Sequence, residues 1–193
     1  MFRRLAPYHS PRFTPAPASE DRDLGRSLTL PGFYQTRNYS CGYACALMVA
    51  RYFEADVIGQ ELFERLGTGR DGTRQTAIVR ELRAHGVRAN VRYDVDFDRL
   101  RSSIDQGKLV IAYMHDIDHW VVCYGYARDP DRVYLADPRP GESCQHRWAD
   151  AGRSLRRFGI VCSPSPDAGF EPAASVATGE RGPGQLSFDF GIP

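Results

Sequence analysis

Apolar residues change their period part-way along this chain, and the change limits the folds open to it. From Ser40 to about Gly107 they recur mostly at helical spacing, as in CGYACALMVARYF after Ser40, DVIGQELFERLG from Asp56, TAIVRELRAHG ending at Gly86, and DFDRLRSSIDQG after the capping residue Asp96. One strand, Val87 to Tyr93, interrupts this half. The run LVIAYM suits a buried strand, and HWVVCYGYA with VYLA, joined by the turn-rich RDPDR, reads as a hairpin. Helices come first and antiparallel strands second, so the expected class is α+β.

Composition sets the limits of the domain. Of 13 prolines, ten lie outside residues 33–162. The chain therefore divides into an N-terminal extension (1–32), a folded domain (33–162) and a flexible C-terminal tail (163–193) whose Ser, Pro, Ala and Gly cannot offset its ordering entropy. With 25 Lys and Arg against 24 Asp and Glu, the basic footprint of a nucleic-acid binder is missing. No apolar stretch suggests a membrane span or a secretion signal. Five cysteines without framework spacing fit free thiols in a reducing cytoplasm.

Chemistry concentrates around Cys41. One residue past the expected cap position of a helix, its thiolate is favoured by first-turn amides and the helix dipole. Gly42 is expected to leave the backbone open to a substrate carbonyl, and Gln35, six residues upstream, could donate to an oxyanion beside the Cys41 N–H. His119 begins one hairpin strand and Asp137 ends the other. A turn near 129–131 places Asp137 opposite residue 122 or 123, so twist or a bulge must close an offset of three or four residues. If it closes, the carboxylate orients an imidazole that serves Cys41.

Together, QTRNYSCGYAC (Gln35 to Cys45), the His119-Trp120 pair opening an apolar strand and the Asp137-Pro138 pair closing the next resemble the bacteriocin-leader peptidases of papain-like fold. The resemblance spans Gln35 to Gly141. It implies a cysteine peptidase, and carried over residue by residue it makes Cys41 the nucleophile, Gln35 the oxyanion-hole donor, His119 the base and Asp137 the third member. In that family the domain usually precedes an ABC exporter and cuts leaders after a double glycine. Ser40 stands where the family commonly has aspartate, and no transporter follows in this sequence, so the chemistry is expected to carry over better than the substrate. The expected partner is a peptide or protein substrate, with no cofactor. A thioester can also be resolved by an amine, which keeps a toxin-like deamidase or transamidase open, and a catalytically silent peptide-binding module is the alternative from another class.

Other groups receive quieter readings. Cys45, Cys123 and Cys162 are expected in the core, and Cys144 has no assignment. HDIDH (His115 to His119) offers ligand types for zinc or iron, but no further Cys/His cluster completes a site, so it reads as a polar loop delivering His119 and no metal is expected. His85 sits at a helix end, and His146 is a weak competing base. In the tail, QLSFDF (Gln185 to Phe190) resembles the hexapeptide by which bacterial proteins dock on the replication sliding clamp; a terminal strand adding to the sheet edge is the favoured reading.

Overall fold

A computed structural model describes residues 25–128, 130–139, 145–155 and 158–166. The tail motif Gln185 to Phe190 and Cys144 lie outside them. The elements run β1 (Gly25–Ser27), α1 (Cys41–Tyr52), α2 (Gly59–Arg65), α3 (Gln75–Ala84), β2 (Val87–Tyr93), α4 (Phe97–Asp105), β3 (Leu109–Met114), β4 (His119–Ala127), β5 (Arg132–Ala136), β6 (Gln145–Arg147), α5 (Trp148–Leu155) and β7 (Phe158–Pro164). The class is α+β, with N-terminal helices packed on an antiparallel sheet.

The strands form one sheet in the order β2-β7-β3-β4-β5-β6, and β1 pairs with the far end of β4. β3 and β4 read as unbroken apolar runs because both of their faces are covered. One group of helices is α1 to α3. The other is α4 and α5, whose Phe97 and Trp148 rings lie 5.5 Å apart. In α1 every residue except Tyr43 and Arg51 is buried, so it is the central helix of the domain rather than an amphipathic one. Asp96 caps α4, its carboxylate accepting the Arg99 N–H at 2.8 Å.

Three expectations need correction. The tail does not begin at 163, because Ser163 and Pro164 end β7 and pair with Arg88 and Val87. Residues 25–30 do not belong to an extension: Gly25–Ser27 pair with Gly125–Ala127, and Leu28 and Leu30 are 3% and 1% exposed, so the fold has begun by Gly25. α2 starts three residues later than the Asp56 read from sequence, because Ile58 is still extended. Among the described residues no helix is long and apolar enough to cross a membrane.

The hairpin holds the detail that matters most for the site. Ala127 pairs with Arg132 and Gly125 with Tyr134, but Cys123 pairs with Leu135 and Val122 with Ala136, so β4 carries one extra residue, Tyr124. Continued by one step, this register sets Asp137 across from Val121, on the same face as His119. Without the bulge Asp137 would lie across from Val122, on the opposite face. The bulge thus changes side as well as distance. Gly125 permits it: a Cβ there would fall 2.6 Å from the Tyr134 ring and 2.8 Å from the Ser27 side chain.

Candidate active site

Cys41 is the first residue of α1, His119 the first of β4, and Asp137 follows β5 directly. All three are nearly enclosed, at 5%, 4% and 7% exposure. The Cys41 thiol is hydrogen-bonded to the His119 side chain. On the other side of the ring, His119 Nε2 lies 2.7 Å from Asp137 Oδ1, which leaves Nδ1 for the sulfur. Asp137 is itself anchored: Oδ1 accepts the Arg139 N–H at 2.8 Å and Oδ2 accepts Arg139 Nη2 at 3.0 Å.

The loop before Cys41 is wound around one carbonyl. Arg37 O accepts the Ser40 N–H at 3.0 Å, the Ser40 hydroxyl at 2.9 Å and Gln35 Nε2 at 3.0 Å. Ser40 occupies the cap position of α1, yet its side chain turns back to Arg37 and makes no cap hydrogen bond. It therefore leaves the first-turn amides to whatever lies beside Cys41. The Gln35 N–H donates to Pro138 O at 2.8 Å, tying this loop to the Asp137 end of the hairpin. One N–H of the Gln35 amide remains after the bond to Arg37, while its Oε1 is buried with no partner among the described residues.

Electrostatics match this geometry. Burial pushes the Cys41 thiol up, but the His119 hydrogen bond, the Trp120 N–H, the charge on His119 and the Gly42 N–H together bring it below the ordinary thiol value. Burial pulls His119 down, and the hydrogen bonds to Asp137 and then Cys41, with both negative charges, raise it to about 9. For Asp137, burial is outweighed by His119 and Arg139, and the carboxyl sits below its usual range. Lowering the thiol and raising the imidazole together shift the pair toward thiolate and imidazolium.

Gly42 has a different role from the one expected. A Cβ there would meet Thr73 Cβ at 2.6 Å and Trp120 Cδ1 at 3.0 Å, so glycine is needed to let α1 approach β4 and the loop before α3, not to open the backbone to a substrate. Trp120 Nε1 in turn donates to Thr73 O at 3.1 Å. Sequence reasoning missed the Trp120 main-chain donor and the Arg139 anchor. Main-chain donors leave no residue signature, whereas Arg139, two residues past Asp137, could have been suspected.

The remaining candidates lie elsewhere. Cys45, Cys123 and Cys162 are free and wholly buried, and burial raises all three thiols. The HDIDH side chains diverge: Asp118 accepts the Tyr113 hydroxyl at 3.0 Å, Asp116 bonds Ser154, and His115 packs against Tyr113 and Phe158. No group of three possible metal ligands forms among the described residues. His85 Nδ1 is 2.8 Å from Glu81 O at the end of α3.

The family model for the Peptidase C39 family matches residues 29–147, more than half of the chain. The chain belongs to the peptidase C39 family. It is therefore a member of a family of cysteine-type hydrolases. A curated relative of this C39 chain is the lactococcin-G-processing and transport ATP-binding protein LagD of Lactococcus lactis subsp. lactis, 26% identical over 141 residues. That alignment covers 72% of this chain but 19% of LagD, so the chain spans about a fifth of the relative's length. Among solved structures, a double glycine motif protease from an AMS/PCAT transporter, in complex with the leader peptide, is 20% identical with TM-score 0.57, covering 72% of this chain and 95% of that one. The peptidase domain of Streptococcus ComA (17%, TM-score 0.56, 70% and 98% covered) and a C39-like peptidase from Bacillus anthracis (13%, TM-score 0.59, 73% and 98% covered) share the fold.

Proposed function

We propose that this C39 chain is a cysteine peptidase in which Cys41 is the nucleophile, His119 the acid and base, Asp137 the residue that orients His119, and Gln35 an oxyanion donor. The observation that carries the reading is the hydrogen-bonded series Cys41–His119–Asp137, closed off from solvent and tuned toward a thiolate–imidazolium pair.

The Cys41 thiolate attacks the scissile carbonyl carbon. Negative charge passes to its oxygen, where the Cys41 N–H at the start of α1 and the remaining Gln35 Nε2 N–H are the available donors. His119 gives its proton to the departing amine, the C–N bond breaks, and a thioester is left on Cys41. Now neutral, His119 takes a proton from water, which attacks the thioester, releases the acid and restores the starting pair. Asp137 stays ionised throughout, with Arg139 holding it in place.

For the substrate, the reading is a peptide with a double glycine before the cut, supported by the double glycine motif protease and its leader complex. The test is a peptide carrying one internal Gly-Gly, incubated with the full chain and analysed by mass. Cleavage after the second glycine, lost in Cys41→Ala, is expected. Cleavage that tolerates bulky residues in place of both glycines refutes the substrate, and no cleavage of any peptide refutes the peptidase reading. Conversion of a glutamine side chain to glutamate would favour the deamidase alternative.

A further inference from the structure

Between α2 and α3 lies a half-open cleft of about 380 Å³ that the proposed chemistry does not use. Its walls include Arg65, Arg74 and Arg80, with Asp71, Gly69 and Thr76. Two of the arginines are committed in part: Arg65 Nε and Arg80 Nε each lie 2.7 Å from a carboxylate oxygen of Glu81, a side chain 2% exposed. Arg74 differs from both. Its carbonyl accepts the Ala77 and Ile78 N–H groups, but among the described residues its guanidinium has neither a hydrogen bond nor an ion pair.

Charge decides what this cavity can hold. Arg65 and Arg80 share the carboxylate of Glu81, and Asp71 is the acidic residue of the lining, so the three arginines exceed these two carboxylates by one positive charge. That balance suits a carboxylate better than a phosphate dianion, and Arg65 and Arg80 already hold one carboxylate, that of Glu81, each through its Nε–H. The loop between α2 and α3 is continuous with the active site, because Thr73 abuts Gly42 and accepts the Trp120 indole N–H. A peptide lying across Cys41 would pass this flank.

We propose that the cavity is a specificity subsite that takes an acidic side chain of the peptide substrate, with Arg74 as its principal contact. This rests on the peptidase reading above. Arg74 is also the clean probe, since removing Arg65 or Arg80 would strip a buried carboxylate of a partner and cost stability, whereas the Arg74 guanidinium makes no hydrogen bond or ion pair among the described residues.

The test uses the full chain and Gly-Gly peptides in which a single Glu or Gln is scanned through successive positions on both sides of the cut. In one register Glu should lower KM about tenfold relative to Gln with kcat unchanged, and Arg74→Gln should erase that difference. The same peptides are measured by fluorescence polarisation on Cys41→Ala and on Cys41→Ala with Arg74→Gln, where the Kd preference for Glu should appear and vanish in parallel. Equal binding of Glu and Gln peptides in every register overturns the subsite even if cleavage is normal. So does a preference that survives Arg74→Gln, or stabilisation by inorganic phosphate that depends on Arg74 without any Glu preference. Loss of cleavage with the binding preference intact would count against the peptidase reading and not against the subsite.

Discussion

Replacing Asp137 by Asn should bring His119 down toward the ordinary imidazole range. In the wild type the Asp137 hydrogen bond is the largest influence raising His119, which stands at about 9 against burial that pulls it down. The Asn amide keeps the shape and removes the charge. Burial is then opposed by Cys41 alone, so His119 should fall from about 9 toward its usual value of about 6.5. The change, roughly 2.5 units, corresponds to on the order of 3 kcal/mol of imidazolium stabilisation. NMR of labelled His119 Cε1 across pH reads this directly, in wild type and in Cys41→Ala. The Cys41→Ala background should keep His119 above the ordinary value, because the Asp137 bond is larger than the Cys41 one. A His119 pKa unchanged by Asp137→Asn would refute the reasoning. For stability the sign follows: a raised imidazolium contributes fully below about pH 6.5 and loses its contribution as pH rises through about 9, and Asp137→Asn should flatten that slope.

Gly42→Ala forces a Cβ to 2.6 Å from Thr73 and 3.0 Å from Trp120; overpacking of about 1–3 kcal/mol should lower Tm by roughly 3–10 °C in calorimetry, and activity should fall with it because Trp120 supplies a main-chain donor to Cys41. Gln35→Ala should reduce kcat by about 10²–10³ with little change in KM, measured by steady-state cleavage of a Gly-Gly peptide, whereas an equal rise in KM alone would remove Gln35 from the oxyanion site.

Much of this arrangement was legible in the residue pattern, and the exceptions have physical causes. The first turn of α1, the hairpin of β4 and β5, and the Asp96 cap follow from local periodicity and capping chemistry, which a single strip of sequence contains. The His119–Asp137 contact does not, because it depends on register, and register here depends on one extra residue at Tyr124. Its trace in the sequence was Gly125, a glycine inside an otherwise apolar strand. β1 was hidden because three residues are too few to show a period and because nearby prolines made 1–32 read as an extension. Gly42 reads in sequence as a residue that opens the backbone, and in the fold it is a close-packing residue. Only the neighbours Thr73 and Trp120, distant in sequence, reveal that it serves close packing.

The most direct measurement of the central claim is alkylation by iodoacetamide at pH 6, followed by intact and peptide mass analysis, on wild type, Cys41→Ala and His119→Ala. The account predicts one fast adduct on Cys41 in the wild type, none at that rate in Cys41→Ala, and strong slowing in His119→Ala, since His119 is the largest of the influences that hold the thiol below its ordinary value. Slow labelling of the wild type, or fast labelling that persists without His119, would contradict it.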